Sequence, residues 1–140
     1  MPLVSRLYFR TAILFLIAGI CVGLHMAMSQ DHSVAGAHAH INLLGWVTSA
    51  IFGGYYALNP AKAERRLALV QYGIYTTGVA VMAPALLLML AGNSALEPLV
   101  ALSSFVVLAG VLLFAFIVFT GDRQAVRRAD TRLSMAKQPA

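Results

Sequence analysis

Four long apolar runs, separated by short polar stretches, follow one another along the chain. Each is close to the roughly 20 residues that an α-helix needs to cross the hydrocarbon core of a bilayer. The runs cover about residues 11–29, 39–58, 67–91 and 98–120. This pattern predicts an all-α fold, an integral membrane four-helix bundle over residues 1–121, followed by a polar basic tail at 122–140.

The composition favours a membrane protein over a soluble domain. Of the 140 residues, 60% are hydrophobic and only 11% are charged, and the mean hydropathy is +0.80, whereas about half of a soluble domain is apolar. Arg6 and Arg10 precede the first run, as basic residues do in a secretory signal. That run is long, however, and "HMAMSQ" is a poor cleavage site. We therefore expect the first run to be retained as a helix.

The basic residues indicate the orientation of the chain. In a four-span arrangement all of them fall on one side of the membrane, at positions 6, 10, 62, 65, 66, 123, 127, 128, 132 and 137. The positive-inside rule then places both termini in the cytoplasm. The formal net charge of +5 and the pI near 9.9 suit contact with anionic lipid headgroups. We expect the lipid bilayer, and not nucleic acid, to be the partner of these charges.

The stretch "MSQDHSVAGAHAHINLLGWV", residues 28–47, brings three histidines to the start of the second run. With His25 near the end of the first run, all four histidines of the chain, His25, His32, His38 and His40, gather near the outer surface. Ionisable side chains at membrane depth are costly to desolvate, so an intramembrane histidine indicates function by default.

His38 and His40 lie about 200° apart on a regular helix, so we expect them to face different environments and not to bind one ion together unless the first turn is irregular. The face of His38 continues through Asn42 and a stripe of small residues that allows another helix to approach closely: Gly45, Ser49 and Gly53. The face of His40 continues through an apolar wall suited to a flat hydrophobic ligand: Leu44, Val47 and Ile51. We expect one of the pair, His38 or His40, to bind a metal or haem, and the sequence leaves open which one. Structural roles also stay open for both, with His38 capping the helix or bonding across helices and His40 donating to a carbonyl.

The segment "AHAHINLLGWVTSAIFGGYY", residues 37–56, resembles a ligand helix in catalytic subunit I of haem-copper oxidases and nitric oxide reductases. It is still more similar to small four-helix bacterial membrane proteins related to that subunit, a likeness that the lead-in "DHSVAG" extends. In the large family such helices begin with a histidine that binds low-spin haem. His40-Ile41-Asn42 resembles a His-x-Asn start, and His38-Ala39-His40 resembles a His-x-His pair. The resemblance implies a location in the bacterial inner membrane.

The chain departs from the large family in size and in histidine content. It corresponds to one four-helix unit, where the full subunit has about three, and the third and fourth runs contain no histidine. We therefore do not expect oxidase activity from a single chain. The resemblance implies a homo-oligomer, with a trimer reproducing the twelve-helix layout. Haem ligands would come from different protomers, or from His25 and His40 within one chain.

Our main expectation is a b-type haem protein that transfers electrons or senses a gas near the outer surface, with a possible respiratory electron-transfer partner. His40 is the first choice of axial ligand and His25 the second, and Asn42 and Trp46 are expected beside the haem. Bis-histidine ligation would close both axial positions and favour electron transfer.

Three alternatives remain open from the sequence. Copper is the alternative cofactor, because thioether and imidazole ligands suit cuprous ions, and "HMAMSQDH" contains His25, Met26, Met28 and His32. On a helix His25 and Met28 share a face, whereas Met26 is turned away. A non-enzymatic subunit could instead use the small-residue stripe to dock onto a larger complex. Histidines also titrate in the physiological range, so pH sensing is the third alternative.

The third run has a polar inner half, formed by Gln71, Tyr72, Tyr75, Thr76 and Thr77. Two interpretations are available for these side chains, a proton path and hydrogen bonds that link neighbouring helices. We favour hydrogen bonding between helices, since such bonds are a common means of association within membranes.

Overall fold

The computed structural model describes residues 1–120, and within this range the chain is helical and contains no strand. The predicted tail at 122–140 lies outside the described residues. The elements are α1 (Leu3–Ser29), α2 (Ala35–His40), a π-helical segment (Ile41–Thr48), α3 (Ser49–Leu58), α4 (Pro60–Ala63), α5 (Arg66–Leu90), a short 3₁₀ turn (Ser94–Leu96) and α6 (Glu97–Phe119).

Three helical stretches in residues 1–120 are long and apolar enough to cross a membrane, namely Leu3–Ser29, Arg66–Leu90 and Ser94–Phe119. The helical structure confirms the predicted all-α class, and the three apolar stretches suggest a membrane protein. The third and fourth predicted spans agree with α5 and α6 to within a residue at each end. The first helix begins at Leu3 rather than near residue 11, because Arg6 and Arg10 interrupt hydropathy but are good helix formers.

The second predicted span, 39–58, is not one regular α-helix. It is divided among α2, the π-helical segment and α3, yet the residues at both junctions keep right-handed helical dihedral angles. The Thr48 hydroxyl donates to the carbonyl of Leu43, five residues earlier, at 2.8 Å. The backbone therefore stays helical from residue 35 to 58 but widens over two turns, which the sequence pattern did not predict.

Contacts between loops and helix ends define the two ends of the molecule. At one end, here called the histidine end, the loop after α1 faces the last residues of α5, and Leu90 lies beside Gly36. At the opposite end, here called the basic end, the start of α1 is joined to α3 by the Ser5 hydroxyl, which donates to the Gly53 carbonyl at 2.8 Å. Successive helices therefore run in opposite directions between the two ends.

A buried lysine joins α4 to α6 at the basic end. Lys62 Nζ donates to the carbonyls of Ile117 and Val118, each at 3.0 Å, and to the Tyr55 hydroxyl at 2.9 Å. The last carbonyls of a helix lack partners within the helix and carry partial negative charge. The ammonium group therefore caps α6 and stabilises its packing against α4.

Gln71 of α5 is the hydrogen-bonding centre of the core. Its Oε1 accepts from the hydroxyls of Tyr8 at 2.7 Å and Tyr56 at 3.2 Å, and its Nε2 donates to the Gly110 carbonyl at 3.2 Å. Tyr75 donates to the Leu44 carbonyl at 2.8 Å. These bonds connect four helical stretches and confirm the predicted linking role of the polar half of α5.

The remaining polar residues of α5 differ in their environments. The Tyr72 hydroxyl shares a hydrogen bond of 2.8 Å with the Thr11 hydroxyl of α1. Thr77 is exposed, and the buried Thr76 hydroxyl has no hydrogen-bond partner among residues 1–120.

Small residues set the close approach of α1 to the 35–58 stretch. A Cβ atom on Gly45 would lie 2.5 Å from Cγ of Phe15, and one on Gly53 would lie 3.1 Å from Cβ of Tyr8. Ser49, between these glycines, is 1% exposed. The prediction that this stripe admits a neighbouring helix is confirmed, and α1 is that helix.

Candidate cofactor site at His40

His40 is the last residue of α2, directly before the π-helical segment. Its ring Nδ1 lies 2.8 Å from the carbonyl oxygen of Gly36, one helical turn earlier. A carbonyl oxygen only accepts hydrogen bonds, so Nδ1 carries the proton in the neutral ring. The Nε2 lone pair then remains available, which is the arrangement typical of metal-binding histidines.

The exposed ring of His40 borders a cavity of about 290 Å³ between the 35–58 stretch, α5 and α6. The lining residues are His40, Leu44, Met82, Ser104, Val107, Leu108 and Val111. Aliphatic side chains dominate this lining, with one imidazole, one hydroxyl and one thioether among them. Such a surface suits a largely apolar ligand that one nitrogen ligand holds in place.

The π-helical segment shapes one wall of this cavity. Leu44 lies in the segment, and its carbonyl accepts the Tyr75 hydroxyl from α5, which anchors the wall to the core. Short π-helical stretches occur frequently at functional sites. Two consecutive hydroxyl residues lie where this segment ends, Thr48 and Ser49, and both side chains donate to carbonyls five residues earlier.

The π-helical segment changes which residues lie on the same face as His40, so part of the prediction was wrong. Leu44 lines the His40 cavity as predicted, but Val47 and Ile51 do not, and Ile51 is 60% exposed. The prediction assumed 100° per residue, whereas a π-helix turns less at each residue because its hydrogen bonds close over five residues. Positions after Leu44 are therefore rotated away from the cavity.

His38 lies on the opposite side, against α1. A Cβ on Gly23 would be 3.0 Å from Cε1 of His38, so the ring packs on that glycine. Asn42 donates to the His38 carbonyl at 2.9 Å, and its amide packs on Gly19 of α1. The prediction that the two imidazoles face different environments is confirmed, and Asn42 accompanies His38 rather than His40.

His25 lines a second cavity, of about 690 Å³, at the histidine end. Cys21 and Asp31 share its lining with apolar residues from the end of α5. The Ser33 amide donates to Asp31 Oδ1 at 2.9 Å and lowers the pKa of that exposed carboxyl, with weaker contributions from His32 and His25. His25 and His40 therefore border different cavities, one beside an anionic loop and one among aliphatic side chains.

The other sequence-predicted ligands do not converge on either cavity. His32 is exposed in the loop after α1, Met28 is 85% exposed, and Met26 is buried. Trp46 of the π-helical segment is partly exposed and lines neither cavity. Within residues 1–120, no three His, Cys, Asp or Glu side chains are grouped closely enough to hold a metal ion.

Comparison of the chain with protein-family models, with curated proteins and with solved structures gives no match.

Proposed function

We propose that the chain is a small multi-pass membrane protein, similar to one unit of haem-copper oxidase subunit I, that binds b-type haem through His40. The hydrogen bond of His40 carries this proposal, because Nδ1 donates to the Gly36 carbonyl and leaves Nε2 free to bind iron at the edge of an apolar cavity. Haem bound there would supply one-electron transfer, or gas binding where an axial position stays open.

The membrane arrangement that accompanies this proposal has four spans, with the helical stretch 35–58 as the second. Every Lys and Arg within residues 1–120 lies towards the basic end, at positions 6, 10, 62, 65 and 66. The positive-inside rule favours a cytoplasmic basic end, hence cytoplasmic termini in a bacterial inner membrane. His40 would then lie near the outer surface.

The residues around His40 fit one side of a haem group. Leu44, Val107 and Leu108 offer apolar contact, and His40 offers the single imidazole in this cavity. At about 290 Å³ the cavity falls just below the roughly 300–1,000 Å³ typical of ligand sites. A second copy of the chain would enlarge it, so the proposal includes a homo-oligomer, with a trimer by resemblance. Copper receives less support, because His25, Met28 and His32 do not converge.

Visible spectroscopy tests the proposal directly. Purified protein in mild detergent, supplemented with haem, should show the sharp reduced bands of a six-coordinate b haem, and metal analysis should find iron. A His40→Ala variant should lose these bands, because the ligand is removed. A His32→Ala variant should keep them, since His32 lies in the exposed loop.

Circular dichroism and gel filtration of both variants separate loss of haem from loss of fold. A colourless wild-type protein after supplementation, or equal haem content in folded His40→Ala protein, would contradict the proposal. Stoichiometric copper in place of iron would transfer support to the copper alternative.

A further inference from the structure

One exposed face of α1, here called the α1 stripe, carries arginines at the basic end and branched apolar side chains along the rest of its length. At about 100° per residue, its members lie within about 40° of one line along the helix. They are Arg6, Arg10, Ile13, Ile17, Ile20 and Leu24. All six are exposed, and the apolar ones keep 50–57% of their surface accessible. The stripe therefore faces away from the bundle.

The two arginines of the α1 stripe have no partner within residues 1–120. Neither guanidinium group makes an ion pair or a hydrogen bond there, and Glu64 is the one acid at the basic end in that range. Residues four apart on a helix have Cβ atoms about 5–6 Å apart, so both guanidinium groups can reach one phosphate. Arginine binds phosphate oxygens through two parallel hydrogen bonds. This end of the stripe therefore suits an anionic phosphate group.

The apolar part of the α1 stripe matches the depth of one lipid leaflet. Ile20 lies about 15 Å from Arg10 along the helix axis, which is half of the roughly 30 Å hydrocarbon core of a bilayer. Ile13 and Ile17 lie between them on the same face. A molecule with a phosphate head and an aliphatic tail would therefore contact the stripe along this whole distance.

We infer that the α1 stripe binds an anionic phospholipid, with the phosphate at the two arginines and one acyl chain along the isoleucines. This rests on the membrane arrangement proposed above and not on haem binding, so the two can fail separately. The net charge of the head group gives the selectivity. Phosphatidylglycerol is anionic, whereas the choline cation of phosphatidylcholine cancels the charge of its phosphate and opposes the arginines.

A comparison with α5 distinguishes a lipid site from general attraction to a basic surface. Arg66 is also exposed at the basic end, but it has no second arginine one turn further along α5. Beyond Val70, the face of α5 that continues from Arg66 carries small or polar residues, such as Gly73 and Thr77. Arg66→Gln therefore removes the same charge as Arg6→Gln without touching the α1 stripe.

Native mass spectrometry of the purified chain in mild detergent, titrated with phosphatidylglycerol or phosphatidylcholine, tests the inference. The wild type should bind phosphatidylglycerol about tenfold or more tightly than phosphatidylcholine. Arg6→Gln and Arg10→Gln should each weaken the binding of phosphatidylglycerol about fivefold, and Arg66→Gln should have little effect. Soluble glycerol phosphate should not displace the lipid, because it lacks the acyl chain. Every variant keeps the tail at 122–140, so the charges of the tail contribute equally throughout.

A protection experiment on the wild type requires no variant. Phenylglyoxal modifies exposed arginines, and bound phosphatidylglycerol should protect Arg6 and Arg10 but not Arg66, as peptide mass spectrometry would show. Equal losses of affinity in the three glutamine variants, or equal protection of all three arginines, would overturn the inference, because binding would then follow net charge. Displacement by glycerol phosphate at the concentration of the lipid would overturn it too, since the apolar side chains would then contribute nothing.

Discussion

Replacing Gln71 by leucine provides the strongest test of the polar core. Three buried hydrogen bonds, to Tyr8, Tyr56 and the Gly110 carbonyl, meet at this one side chain. Hydrogen bonds between membrane helices average about 0.6 kcal/mol and reach about 1.7 kcal/mol. Two tyrosine hydroxyls left without an acceptor add a desolvation cost of about 1–3 kcal/mol each in soluble proteins. Three such bonds and two orphaned hydroxyls together give an expected loss of about 4–8 kcal/mol in the free energy of unfolding of Gln71→Leu.

The assay is reversible unfolding in mixed micelles of mild detergent and dodecyl sulfate, followed by circular dichroism. Thr77→Val serves as the control, because Thr77 lies on the same helix but is exposed. Its effect should stay within about 0.5 kcal/mol. Adding Tyr8→Phe and Tyr56→Phe to Gln71→Leu should recover about 1 kcal/mol or more, because the orphaned hydroxyls are then absent.

Two outcomes would refute this reasoning. If Gln71→Leu unfolds within about 0.5 kcal/mol of the wild type, the three bonds do not stabilise the core. If the triple variant is no more stable than Gln71→Leu, the loss comes from the packing of the new side chain and not from unpaired hydroxyls.

Two further substitutions test the packing of α6 in the same unfolding assay. Lys62→Met should lower the free energy of unfolding by about 2–3 kcal/mol, because the hydrogen bonds from the ammonium group to the last carbonyls of α6 are lost. Lys62→Arg should lower it less, because the positive charge is kept. An equal loss of stability in the two variants would show that the charge does not stabilise α6. Gly110→Ala should cost about 1–3 kcal/mol, since its Cβ would lie 2.8 Å from Cα of Tyr75 on α5. Gly73→Ala, which meets no atom within 4 Å, should be neutral or gain up to about 1 kcal/mol, and a similar loss there would contradict the steric explanation.

The sequence by itself determined the helical class and most helix boundaries. The hydropathy pattern located α5 and α6 to within a residue, because long apolar runs and Pro98 in the first turn of α6 are local signals. Helical periodicity also separated the faces of His38 and His40, since residues i and i+2 of a helix point to nearly opposite sides. The small-residue stripe predicted a close helix contact, because small residues at helical spacing can be recognised in the sequence.

Only the tertiary structure decided which groups share a site. His25 and Met82 are 15 and 42 residues from His40 in sequence, and the rotation and separation of whole helices determine which of them shares its cavity. Those rotations depend on contacts such as Gly45 against Phe15 and Tyr75 against the Leu44 carbonyl, and a periodic pattern does not identify the two partners of such a contact. The hydropathy pattern did not predict the π-helical segment. The residues on the face of His40 were assigned from the α-helical periodicity, which this segment changes. The structure thus placed Met82, and not His25, in the lining of the cavity that His40 borders, since packing between helices depends on all the side chains at their interfaces.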